Sequence, residues 1–279
     1  MRFSLIVPTI SRTGELERFL ASLELQCHKN LELIVVDQNP DDRLVSLLSP
    51  YANKLPILHL RSEKKGASRA RNIGLRHASG DAIAFPDDDC LYPPDLLSRV
   101  DRTLASCPEI DGLTGRLIDK DGRDSSGRFD ARAGALGKIS VWARAIEATV
   151  FLREECVRDL RFNESLGVGA GTAWGAGEVT DYLLRLLERG KSLQYDPDLT
   201  VIHRPFVSAY DEQAVRKAFS YGCGMGRVLR MHKMPLWFKA KWLVRPLGGA
   251  MLSAAALSLP KARFRWCTFK GRLKGLLAS

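Results

Sequence analysis

The sequence predicts an α/β protein built on a mostly parallel sheet, followed by a basic helical extension. Three observations predict it. Continuous apolar runs alternate with helical patterns from Phe3 onward, an acidic triplet closes the fourth run, and beyond Glu212 there are 14 Lys and Arg with no Asp or Glu.

The runs come in order. FSLIVP precedes a helical pattern from Leu16 to Leu25, LELIVVD precedes Arg43 to Leu48, LPILHL precedes Ala67 to Ala78, and DAIAF ends on Asp87, Asp88 and Asp89. Unbroken apolar runs of this length mark strands buried on both faces, and their alternation with helices marks βαβ units. Ligands of such sheets bind beyond the carboxyl ends of the strands. That rule selects the loops 8–14, 37–42, 61–68 and 86–93. Residues 119–137, rich in Gly, Asp, Ser and Arg without periodicity, read as a surface loop. Glu178 to Glu188 carries Leu183, Leu186 and Leu187 at helical spacing and stops at Gly190. SLQYDPDLTVIHRP then reads as a turn and a short strand.

Charge divides the chain at about the same place as pattern. Residues 1–212 hold 28 Lys and Arg against 32 Asp and Glu, so the formal net charge of +10 belongs to the tail. There Trp237, Phe238, Trp242, Phe264, Trp266 and Phe269 are interleaved with Lys and Arg, the composition of a helix lying at an anionic membrane surface. The uncharged run from Pro246 to Pro260 falls short of the roughly 20 apolar residues that span a bilayer. The expectation is a catalytic domain over 1–210 and a membrane-associating extension over 211–279. Six cysteines without a CxxC pair, and a start without a long apolar core, predict reduced thiols in the cytoplasm, with the protein held at the inner face of the membrane.

Asp87, Asp88 and Asp89 repel one another unless a cation or hydrogen-bond donors offset their charge. A hard divalent ion with oxygen ligands does so while leaving positions for substrate phosphates. A solvated acidic turn is the bland alternative.

The triplet does not stand alone. With LIVPT (Leu5 to Thr9), VVD (Val35 to Asp37), GASRARNIGL (Gly66 to Leu75), ASGDAIAFPDDD (Ala78 to Asp89) and GEVTDYLLRLLERG (Gly177 to Gly190), the chain resembles the bacterial family 2 glycosyltransferases of the GT-A fold over about residues 2 to 205. The resemblance implies a Rossmann-like nucleotide-diphospho-sugar transferase fold, a nucleotide-sugar donor, a divalent Mg or Mn ion, and an inverting transfer of a hexosyl group. It places Pro8, Thr9 and Asp37 about the donor base and ribose, and Asp87 and Asp88 at the donor diphosphate. Asp87 and Asp89 fall in the metal-holding motif, and His203, after the strand LTVIH, at the position that completes the metal shell. Gln38 stands where the family often has a second Asp.

Arg71 suits phosphate or base, Arg69 reads as a surface residue, and Asn72, Gly66 and Gly74 share that block. The family's catalytic base comes from a Glu-Asp pair opening a helix. Here the pair reads Glu178-Val179, which makes Glu178 the first choice and Asp181, one turn on, the second. Trp174 suits an acceptor sugar face or core packing. The implied acceptor is a glycan or a lipid-linked saccharide in cell-surface polysaccharide synthesis. A sugar-nucleotide nucleotidyltransferase would carry a glycine-rich basic loop after the first strand, where TISRTGELER has one glycine. A nucleic-acid-binding protein would leave the acidic triplet unexplained, so no nucleic-acid partner is expected.

Overall fold

The computed structural model describes residues 1–125, 129–204 and 209–278. Its strands are β1 Phe3–Thr9, β2 Leu31–Asp37, β3 Ile57–Arg61, β4 Ala82–Ala84, β5 Cys90–Leu91, β6 Gly112–Ile118, β7 Gly134–Ala135, β8 Phe151–Arg153 and β9 Leu193–His203. Its α-helices are α1 Gly14–Glu24, α2 Arg43–Leu48, α3 Ala67–Leu75, α4 Leu96–Ser106, α5 Val141–Arg144, α6 Glu154–Val157, α7 Glu178–Glu188, α8 Glu212–Met231, α9 Leu236–Ala255 and α10 Leu259–Leu277.

The chain divides into two compact units: Met1–Lys65, Arg69–Phe162 and Tyr182–Phe206 form the first, and Gly66–Ser68, Asn163–Asp181 and Val207–Ser279 the second.

In the first unit the strands run in the order β3-β2-β1-β4-β8-β6-β9-β5, with β7 also on β9. The pairings of β1 with β2 and β2 with β3 are parallel, as the apolar runs predict, and β6 pairs parallel with β9 as well. The short strands β5, β7 and β8 pair antiparallel. Every side chain of β1 except Pro8 is buried, and Leu16, Phe19, Leu20 and Leu23 of α1 pack with β1 and β2 in one core. Gly74 is required by that packing: a Cβ there would collide with Ile6 on β1.

Two expectations need correction. The segment predicted as a turn and a short strand is one strand of 11 residues, β9. It accommodates Pro197 because its register against β6 shifts between Thr114 and Arg116, where Gly115 leaves room for the carbonyl of Leu199. Nor is the 119–137 loop wholly irregular, since Asp124 bridges to Ile118 and β7 lies against β9; residues 126–128 of that loop fall outside the described residues.

In the second unit α8 is capped by Asp211, whose carboxylate accepts from the amide of Ala214 at 2.7 Å. Gly222 and Gly226 on α8 face Gly271 and Gly275 on α10 so closely that a Cβ on any of the four would meet backbone of the other helix. Gly224 touches the backbone of Ala176 in the same way. The short GCGMG run is therefore a helix-contact surface. Helix α9 buries Phe238, Pro246, Ala250 and Ser253. On its other side Trp237, Val244, Met251 and Leu252 remain 59%, 61%, 68% and 72% exposed, spaced to form one apolar stripe beside exposed Lys241 and Arg245. The aromatic tail is thus split: Phe238 is core and Trp242 is half-buried beneath the Arg272 guanidinium, whereas Trp237 and Trp266 face outward. No described helix is long and apolar enough to cross a membrane.

Candidate functional site

The sheet delivers the acidic triplet to a defined place. Strand β4 ends at Ala84, Phe85 anchors the turn by packing edge-on against Phe162 at 5.0 Å, and the chain pairs again as β5, with Cys90 opposite His203 of β9. This antiparallel step sets Asp89 beside the end of β9, and the His203 Nε2 lies 3.1 Å from the Asp89 Oδ1. Two residues 114 positions apart meet because both lie at strand ends on the same edge.

Each carboxylate of the triplet has its own partners. Asp87 Oδ1 accepts from the Arg71 Nη2 at 3.3 Å, and Arg71, almost fully buried on α3, lies over the Phe162 ring. Asp88 accepts from the Thr9 hydroxyl at 2.8 Å and from the Arg12 Nη1 at 2.7 Å. That same Arg12 nitrogen is 2.6 Å from the Asp89 Oδ2, and Arg204 reaches Asp89 at 3.4 Å. Burial pushes the Asp87 carboxyl well above its ordinary value, reinforced by the charge of Glu147. Burial also raises Asp88 against the opposing charge of Arg12. At Asp89 burial acts upward too, but the hydrogen bond and charge of His203 with Arg12 and Arg204 outweigh it and hold the carboxyl down at about 2.

Asp37, fully buried at the end of β2, accepts from the backbone and side chain of Asn39 at 2.8 and 2.7 Å, and its other oxygen is 3.0 Å from His59 Nε2. Pro8 pairs with Val36 in the parallel register of β1 and β2. The predicted donor-side residues Pro8, Thr9, Asp37, Arg71, Asp87 and Asp88 thus all lie in the first unit, on β1, β2, α3 and the turn after β4, with Asp89 and His203 in contact there. Asn72 is taken up by structure: its amide donates to the Phe162 carbonyl at 3.0 Å and accepts from the Phe162 amide at 2.7 Å.

Oxygen ligands from Asp87 and Asp89 and the imidazole of His203 are a donor set suited to Mg or Mn. Among the described residues, however, no group of three His, Cys, Asp or Glu is arranged to hold a metal ion. The carboxylates are engaged by Arg71, Arg12, Thr9 and His203.

The residues expected to act as base lie in the second unit at the start of α7. Glu178, nearly buried, opens the helix, and Gly167, at φ +100°, leaves room for its carboxylate, which a Cβ there would strike. Asp181 is fully buried, and its Oδ1 is 2.9 Å from the Nε2 of His232 at the end of α8. Trp174 carries the Arg227 guanidinium over its ring at 5.7 Å.

Sequence reasoning missed Arg12, Arg204, His59 and His232. For Arg12 a signal existed, since the 8–14 loop is one of the four at strand ends. For His232 there was none, because it lies 51 residues beyond Asp181.

Residues 4–119 match the model of "Glycosyl transferase family 2". The chain is 25% identical over 262 residues, 87% of its length and 82% of the relative's, to "Glycosyltransferase AglE" of Haloferax volcanii. It is 28% identical over 184 residues, 62% of its length and 58% of the relative's, to "GalNAc(5)-diNAcBac-PP-undecaprenol beta-1,3-glucosyltransferase" of Campylobacter jejuni. Other curated relatives match over shorter stretches, 36% and 26% of their own lengths. In fold it is similar to "Mannosyltransferase PcManGT from Pyrobaculum calidifontis in complex with GDP-Man and Mn2+", with a TM-score of 0.65, 18% identity, and coverage of 99% of this chain and 85% of that one.

Proposed function

We propose that this chain is a glycosyltransferase that transfers a hexosyl group with inversion from a nucleotide-sugar to a glycan or lipid-linked acceptor, a reading supported by the family 2 match over residues 4–119 and by the likeness in fold to a mannosyltransferase. The observation that carries the proposal is the meeting of Asp87, Asp88 and Asp89 with Thr9, Arg71 and His203 at the strand ends of one sheet. Residues 1–210 carry catalysis in this reading, and 211–279 attach the enzyme peripherally to an anionic membrane, at its cytoplasmic face. The exposed stripe on α9 and its lysine and arginine neighbours support the attachment. A lipid-linked acceptor agrees with the undecaprenol-linked substrate in the name of the Campylobacter relative.

Asp87, Asp89 and His203 would hold a divalent Mg or Mn ion, which supplies positive charge to the departing diphosphate. Pro8, Thr9 and Asp37 border the base and ribose, while Arg71 and Asp88 border the diphosphate. Glu178 takes the proton of the acceptor hydroxyl as that oxygen bonds to the anomeric carbon, and the bond from this carbon to the diphosphate oxygen breaks with its electron pair leaving on the nucleoside diphosphate. Asp181, buried with its Oδ1 2.9 Å from the His232 Nε2, is the second choice of base.

The test measures nucleoside-diphosphate affinity and transfer rate together. Chelation or Asp89→Ala should weaken donor binding, whereas Glu178→Gln should slow transfer about 10²-fold or more with donor affinity nearly unchanged. Unchanged affinity after both chelation and Asp89→Ala would remove the metal role. Full transfer by Glu178→Gln with an inactive Asp181→Asn would move the base to Asp181.

A further inference from the structure

Arg12 stands outside every role assigned above, yet it makes the shortest contacts in the triplet. Its Nη1 lies 2.7 Å from the Asp88 Oδ1 and 2.6 Å from the Asp89 Oδ2, so one nitrogen bridges two adjacent carboxylates. A divalent ion drawn to these oxygens would meet the guanidinium already among them. Both carry positive charge, and within a few ångströms of one another in a partly buried site they exclude each other. From this geometry we propose that Arg12 is a tethered counter-cation: it neutralises Asp88 and Asp89 in the free enzyme and is displaced when a divalent metal binds. The inference rests on the metal reading above.

The tether is visible in the backbone. Ser11 sits in the left-handed region at φ +59°, and its amide donates to the Asn39 Oδ1 at 2.7 Å. Asn39 is in turn held by Asp37 at the end of β2. The main chain next to Arg12 is therefore fixed to the sheet. The Arg12 side chain itself remains 38% exposed, so it can leave the carboxylates toward solvent by rotating about its own bonds.

Need for such a cation follows from burial. Asp88 is only 6% exposed, and a carboxylate so placed requires an opposite charge or hydrogen bonds. Thr9 gives one hydrogen bond and Arg12 the charge. A displaced guanidinium, still tethered beside the site, adds positive charge where a diphosphate would lie. Metal and nucleotide would then both favour the displaced position, and each would strengthen binding of the other.

The experiment titrates Mn2+ alone, and Mn2+ with uridine or guanosine diphosphate, into the full chain, Arg12→Gln and Arg12→Lys, by calorimetry. Arg12→Gln should bind Mn2+ alone about 10-fold more tightly, a typical coupling between two ligands of one state, and should lose most of the enhancement that nucleotide gives the parent. Arg12→Lys, which keeps the charge, should stay near the parent. In chelator the Gln variant should melt below the parent and recover with Mn2+, which distinguishes a lost counter-charge from a misfolded chain. Equal Mn2+ affinity in parent and Arg12→Gln, or weaker affinity in the variant, overturns the role of Arg12 and leaves the metal reading standing. If no form binds Mn2+ with or without nucleotide, both fall.

Discussion

The two units use arginine and lysine in opposite ways. In the first, buried carboxylates at strand ends are each met by a cation or imidazole: Asp87 by Arg71, Asp88 by Arg12, Asp89 by Arg12 and His203, Asp37 by His59. In the second, there is no acidic side chain after Glu212 to meet. Basic side chains there turn to carbonyls, Arg272 to Trp242 at 2.7 Å, Arg265 to Gly249 at 2.8 Å and Arg227 to Ala278 at 2.9 Å. A carboxylate is met there too, Glu212 at the start of α8 by Arg263 of α10, and glycines bring those two helices close. The difference teaches that charge in the first unit is consumed internally and shapes a site, whereas in the second it is surplus and remains for a partner.

The buried ionisable pair at the ends of α7 and α8, Asp181 with His232, runs against this division and is the place to break it. His232→Ala should cost the most stability, about 3 kcal/mol or more, since it leaves Asp181 buried without that partner. Chemical denaturation of parent and variant measures it. An undiminished midpoint would mean that the pair contributes nothing and that glycine packing alone holds this unit.

Glycine packing is tested next. At Gly226 a side chain would strike the Arg272 carbonyl, so Gly226→Val should destabilise by about 2–3 kcal/mol as α8 and α10 move apart. Gly248, with open space about its Cβ position, is the internal control and should tolerate Ala. Similar losses at both positions would show that helix propensity, not contact, is being measured.

The smallest effect concerns the surplus charge. Lys241→Ala with Arg245→Ala should weaken sedimentation with anionic liposomes by about 1 kcal/mol per residue, and added salt should reduce parental binding in the same direction. Full-length protein that fails to sediment at low salt would end the membrane reading.

Much of the fold is legible in the order of residues. Apolar runs locate β1 to β4, Gly190 marks the end of α7 and adopts φ +77°, and GCGMG is a helix contact. Strand β9 is underestimated because Pro197 reads as a breaker unless the partner strand supplies a bulge, and that partner is Gly115, over 80 residues earlier in the chain by the pairing of β6 with β9. The neighbourhood of the triplet is legible only in part. The family resemblance puts Asp89 and His203 at one place, but nothing in the sequence reading puts the guanidinium between Asp88 and Asp89.

By itself the sequence determined the first four strands, the helices between them, the helix that opens at Glu178, where the acidic triplet stands, and that no acid follows Glu212. These depend on period, composition and near neighbours along the chain, which the order of residues states directly. Only the tertiary structure decided which cation meets which carboxylate: Arg12 with Asp88 across 76 positions, His203 with Asp89 across 114, His232 with Asp181 across 51. Such pairs form because the sheet and the helix contacts bring distant backbone together, and a charge is stabilised by whatever stands within a few ångströms of it, not by its neighbours in sequence.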